Sequence, residues 1–164
     1  MNKLVGGLAG VVALLGVVST AVALPTIPGI SVLEDFEQLG TGPVGGNGFQ
    51  TKPVGNGEVF GFEGYDLSIE DFPGQKLRWD DQLFMDFRHN GKRPLEVVFD
   101  LSMYSSPVTV RAFDDGGKVI FDQTYTAQTQ HHVVITSQKE RILYVELTGG
   151  SNETYVDDVW VTWP

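Results

Sequence analysis

From Val32 to the C-terminus, no stretch of a dozen residues keeps its apolar side chains at the three-four spacing of an amphipathic helix. Short runs rich in Val, Ile, Phe, Tyr and Trp recur instead. They fall at 32–37, 58–63, 65–72, 82–88, 95–101, 108–113, 119–125, 132–136, 142–147 and 155–163. Gly, Pro, Asn and Asp cluster between them. A chain of this kind buries its apolar side chains by stacking one sheet on another. The expected fold is all-β: an antiparallel two-sheet β-sandwich of jelly-roll topology, with a single closed barrel as the alternative.

One hairpin is explicit. PVTVRAF, DDGGK and VIFDQTY follow one another, and Val108, Val110 and Ala112 alternate with Thr109 and Arg111. That puts one face in the core and one in water. Asp115-Gly116-Gly117 is expected to supply the positive φ angles of the tight turn. Residues 40–57, GTGPVGGNGFQTKPVGNG, read as a long loop across one end of the sandwich.

The first 30 residues stand apart. Met1-Asn2-Lys3 is followed by an uncharged run from Leu4 to Leu24 that contains Ala21-Val22-Ala23, the small-x-small pattern signal peptidase accepts. Residues 1–23 are expected to be a secretory signal. The alternative is an N-terminal membrane anchor through residues 4–24, since the run is long enough to span a bilayer. Residues 24–31, LPTIPGIS, read as a linker, and 32–164 as the sandwich domain. Loss of Lys3 with the leader leaves 10 basic against 21 acidic residues, a formal charge of −11. Such a surface repels nucleic acid and anionic membranes and suits divalent cations. There is no cysteine, which excludes a disulfide framework, a thiolate metal site and a cysteine nucleophile. A secreted domain without disulfides must be held by its core, a metal or a partner. Asn152-Glu153-Thr154 is a glycosylation sequon, relevant only in a eukaryotic secretory pathway.

Several motifs are familiar in combination. LEVVFDLSMYSSPVTVRAFDDGGKVIFDQTY, the late strand ILYVELTGG, the closing YVDDVWV and the opening VLEDFE resemble the galactose-binding-like jelly rolls and carbohydrate-binding modules of secreted bacterial proteins. The resemblance covers most of residues 32–164. It implies a calcium ion held by the opening acidic residue, the closing aspartate and nearby backbone carbonyls.

The residues themselves point to the same place. Val159, Val161 and Trp163 share one strand face, while Val156 is out of phase with them. Both sets face the core only if a bulge lies at Asp157-Asp158. In a jelly roll the first and last strands lie near each other. Phe36 is then expected to point inward and Glu37 outward, so that Glu37, Asp157, Asp158 and Asp35 form an oxygen cluster. Oxygen ligands without His or Cys suit structural Ca²⁺. The alternative is a solvated edge with Asp157 and Asp158 paired to Arg141 or Lys139.

In KLRWDDQLFMDFRHN, Trp79 is flanked by Arg78, Asp80 and Asp81. Trp79, Asp80, Arg78 and Tyr65 form the expected ligand-binding set, because sugar rings stack on aromatic faces while charged groups bond their hydroxyls. Trp79 plugging one end of the sandwich is the competing reading. Tyr104 is a further aromatic candidate, and Trp160, out of phase with Val159 and Val161, is expected either to be exposed or to cover a neighbouring loop. His131-His132 and His89 read as exposed. No catalytic residues are assigned. The expected function is a secreted, non-catalytic module at the cell surface or outside it. Its expected partner is an extracellular glycan or cell-surface polymer. The alternatives are a self-associating structural subunit of a surface layer, matrix or filament, and a polysaccharide-acting enzyme.

Overall fold

The computed structural model describes residues 30–44, 48–50, 61–71, 73–87, 93–126, 129–137, 142–151 and 153–164. The leader or anchor, most of the linker, His89, Lys139, Arg141 and Asn152 lie outside the described residues. The strands are β1 (Ile30–Glu34), β2 (Gly42–Pro43), β3 (Gly48–Gln50), β4 (Gly61–Asp71), β5 (Gln75–Asp86), β6 (Glu96–Met103), β7 (Val108–Asp114), β8 (Val119–Tyr125), β9 (Gln130–Thr136), β10 (Ile142–Gly149) and β11 (Thr154–Trp163). Among the described residues there is no helix, hence none long and apolar enough to cross a membrane.

All pairings are antiparallel, and they build two arrays. One runs β5–β10–β7–β8. The other runs β4–β5–β11–β6–β9, with β1 beside the second half of β11. The long β4–β5 hairpin belongs to both. Leu77 and Arg78 of β5 pair with β11, whereas Gln82–Asp86 pair with β10. Between these halves the register slips at Gly64/Tyr65 and Tyr65/Ser68, and Asp66 and Asp81 take φ of 51° and 61°. Strands that change sheets need such bulges to turn the corner. From β6 onward the chain alternates between arrays, β6 in one, β7 and β8 in the other, then β9, β10 and β11 in turn. This is a jelly-roll sandwich.

The core is filled from both sides. Leu83, Met85, Val110, Val145 and Leu147 come from the first array and Leu77, Val97, Phe99, Leu101, Val133 and Val156 from the second, all fully buried. Each such side chain contributes about 1.5–3 kcal/mol of hydrophobic stabilisation.

Four expectations change. The runs at 58–63 and 65–72 belong to one bulged strand within the described residues, since Gly64 lies too close to Gln82 and Leu67 for any side chain. Strand β5 begins at Gln75, so KLRWDD is strand rather than connection. The glycine-rich stretch at 40–57 is not all loop, because β2 and β3 pair with β4. In the 114–118 turn only Gly117 has positive φ, 75°. Asp114 does the remaining work, its Oδ1 accepting from the N–H of Gly116 and of Lys118 at 2.9 and 2.8 Å.

Candidate functional site

Strand alternation decides what the outer face of the β5–β10–β7–β8 array carries. Cross-strand partners share a face. Asp86, Tyr144, Phe113 and Val119 form one outward row, and Glu63, Phe84, Glu146, Arg111 and Asp122 the next. Three aromatic rings therefore stand on three adjacent strands. Tyr144 stacks on Phe113, centroids 4.5 Å apart and planes 18° apart. Phe84 meets Tyr144 edge to face at 6.1 Å. All three rings are half-buried and Glu63 is exposed. Glu63, Phe84, Asp86 and Tyr144 line a hollow of ≈ 300 Å³, with Asp86 only 2 % exposed. At the rim, the Gln82 amide donates to Glu146 at 2.8 Å, and Arg111 pairs with Asp122 at 3.2 Å. Rings with convergent hydrogen-bonding groups are the usual make-up of a small-ligand site.

The residues expected to bind ligand lie elsewhere. Trp79 is fully buried, with Gly150 packed on its ring edge. It plugs the sandwich and offers no face, because its strand phase matches the core residue Leu77. Arg78 points outward on the second array but is held by Glu70 at 2.7 Å, Asp66 at 3.0 Å and Ser68 at 2.8 Å. Tyr65 pairs in register with Asp80 at the bulge and is 71 % exposed. These three stay near one another, but the ring that was to hold the sugar between them is gone. Tyr104 and Trp160 are exposed, at 42 % and 45 %.

The acidic pair has the expected backbone. Register slips between Asp157 and Trp160, Asp158 takes φ 47°, and Val156 and Val159 are both fully buried. β1 lies against β11 and Phe36 points into the core. The carboxylates, however, find other partners. Asp157 pairs with Lys76 at 2.6 Å, from β5 rather than from Lys139 or Arg141. Glu37 accepts from the backbone N–H of Gln75 at 2.9 Å, and Asp35 from that of Glu37 at 3.2 Å. Among the described residues no three of His, Cys, Asp and Glu form a group fit to hold a metal. Burial, then the charges of Asp157 and Asp100, raise the pKa of Asp158, while Lys76 opposes them. On β9, His132 Nδ1 lies 2.8 Å from Asp100, and His131 is partly covered by the Tyr125 ring rather than exposed.

Phe84, Tyr144, Phe113, Glu63 and Asp86 were not singled out from the sequence. A signal existed: Phe113 shares the water-facing phase of Thr109 and Arg111, and Tyr144 that of Glu146. What the sequence lacked was the strand order that sets β5, β10 and β7 side by side.

No protein-family model matches the chain, and no curated protein matches it. Among solved structures it is similar to a family 29 carbohydrate-binding module, with TM-score 0.44 and 8% identity, over 81% of this chain and 89% of that chain. A variant of such a module complexed with mannohexaose gives 0.44 and 9%, over 70% and 92%. Another, complexed with cellulohexaose, gives 0.43 and 9%, over 71% and 92%.

Proposed function

We propose that this protein is an extracellular, non-catalytic carbohydrate-binding module that holds a polysaccharide across β5, β10 and β7. The observation that carries this reading is the row of Phe84, Tyr144 and Phe113 beside a hollow with two carboxylates. The apolar face of a pyranose stacks on such rings, and its hydroxyls donate to the exposed Glu63. The reading is tested by affinity electrophoresis against a panel of soluble polysaccharides. Tyr144→Ala is expected to abolish retardation, while Trp160→Ala, on the other array, keeps it. Equal retardation of Tyr144→Ala and the parent chain would sink it.

A hydrolase is the second reading, favoured by one observation. Glu63 pairs with Phe84, so Asp86 is its diagonal neighbour across β4 and β5. Diagonal residues lie about 7–8 Å apart, within the range of inverting glycosidase carboxylates. Hydrolysis, though, needs the two groups to flank the scissile bond, whereas these rise from one sheet face on the same side of a ligand. The expected outcome is that no reducing ends are released from any bound polysaccharide.

A further inference from the structure

We infer that the outer face of β1, β11, β6 and β9 docks an extended, basic segment of another protein, seated on the exposed ring of Trp160. The observation is a second outward row, on the array opposite the one that carries Phe84, Tyr144 and Phe113. In register, Leu33, Trp160, Val98 and Val134 stand side by side on four adjacent strands. Their chain neighbours Val32, Val161, Val97 and Val133 are buried, so all four point away from the core. Trp160 is exposed and the three aliphatic side chains beside it are half-buried. Apolar surface of this kind, rimmed by polar residues, marks a contact site, and Trp is among the side chains enriched at the energetic centre of interfaces.

The rim decides the occupant. The rows on either side are Ser31–Thr162–Glu96–Thr136 and Lys76–Asp157–Asp100–His132, with Asp158 at the bulge between them. Among the described residues, these positions carry four carboxylates against one lysine, which Asp157 holds at 2.6 Å. Burial first, then the charges of Asp157, Asp100 and Asp35, raise the pKa of Asp158, so the negative field reaches the edge of the stripe. A second copy would bring the same acids face to face, which opposes self-association here. A sugar would find only the indole N–H of Trp160 to hydrogen-bond within the row. A basic segment meets both parts of the surface: its apolar side chains cover the row, and its lysine or arginine side chains reach the acids on either side. Three strand-to-strand steps make the row about 14 Å long, which an extended segment of about five residues spans.

The test is isothermal titration of the full chain with three short peptides of equal length: alternating lysine and leucine, alternating glutamate and leucine, and alternating lysine and serine. The lysine–leucine peptide is expected to bind with a dissociation constant of about 10 μM, weakening with added salt. The other two are expected to bind at least about tenfold more weakly. Acrylamide quenching locates the contact, because Trp79 and Trp163 are buried and Trp160 is open. The lysine–leucine peptide should shield the quenchable fluorescence. Trp160→Ala should weaken that peptide about tenfold. Val98→Thr, which keeps the branched shape, should weaken it less, and polysaccharide retardation should be unchanged in both variants. Glu96→Gln combined with Asp158→Asn should flatten the salt dependence. If either comparison peptide binds as tightly as the lysine–leucine one, the assignment is overturned. It is equally overturned if Trp160→Ala and Val98→Thr both bind as the parent does. A parent dimer and a Trp160→Ala monomer in sedimentation would give the face to a second copy. Shielding of Trp160 by a soluble polysaccharide would give it to a glycan. Either result overturns the basic segment.

Discussion

On the outer face of the β4–β5–β11–β6–β9 array the charges are engaged with one another. Lys76 holds Asp157, Arg78 bridges Glu70 and Asp66, and Tyr155 donates to Glu70 at 3.2 Å. Asp100 takes His132 and the Gln130 amide. In register these residues make two rows, Glu70–Lys76–Asp157–Asp100–His132 and Ser68–Arg78–Tyr155–Ser102–Gln130. The outer face of the β5–β10–β7 strands has a different composition: three rings, a hollow and carboxylates aimed into it. The two faces use similar residue types at the same strand spacing. What the β5–β10–β7 face adds is a run of three outward rings on adjacent strands. The first arrangement fastens strands. The second presents rings beside the exposed carboxylate of Glu63.

The largest expected effect breaks the fastening face. Lys76→Met leaves Asp157 largely buried without its cation, with side chains 11% and 17% exposed in the pair. Losing one partner of such a pair should cost about 2–3 kcal/mol, read as a lower urea midpoint with an unchanged slope. Adding Asp157→Leu should recover most of that loss, because an apolar pair of similar size needs no neutralisation. Calcium belongs to the same comparison. While Lys76 occupies Asp157, EDTA is expected to leave the melting temperature unchanged. The Lys76→Met variant is where added Ca²⁺ should restore stability, through Asp157 and Asp158. A fall in the parent chain's melting temperature on chelation would instead support the calcium clasp. Next in size is the ligand face. Tyr144→Ala should weaken glycan binding about 30-fold, or about 2 kcal/mol. Lys76→Met, assayed while folded, should bind as the parent does.

The sandwich was legible in the sequence because its evidence is local. Alternation in β7, the apolar runs of β6 and β11, and the phase slip at Asp157-Asp158 are each written within a dozen residues. The misreadings have a common cause, which is that strand neighbours are set over long separations. Trp79 lies in a charged stretch, but Leu77, Trp79 and the outward Arg78 simply alternate once β5 is seen to start at Gln75. The cation beside Asp157, Lys76, is 81 residues away, so the sequence offered only Lys139 or Arg141 as its partner. The aromatic row joins residues from three strands that are neighbours only in the folded order. What the sequence could offer was phase, and phase identifies an outward ring without saying which other ring stands beside it.

Asp158 sharpens the comparison most finely, since its pKa is raised. Its causes, burial first and then Asp157 and Asp100, all disfavour the ionised form. The folded carboxyl therefore holds its proton more tightly than the unfolded one. By linkage, stability falls as pH rises from the ordinary carboxyl range through the folded-state pKa. The full cost of ionised Asp158 is present above that window and absent below it. Asp158→Asn removes the charge and keeps an amino acid that tolerates the φ of 47°. It also keeps the backbone N–H that donates to Asp157 at 2.9 Å. The variant should melt about 1–2 °C higher at neutral pH, a small gain because the side chain is largely exposed. The gain should shrink to nothing in acid. Asp158→Val is the control on the backbone. It also removes the charge, but a β-branched residue at positive φ is strained, so it should melt lower than the parent at every pH. If Asp158→Asn instead melts lower at neutral pH, the carboxylate is a needed ligand or partner.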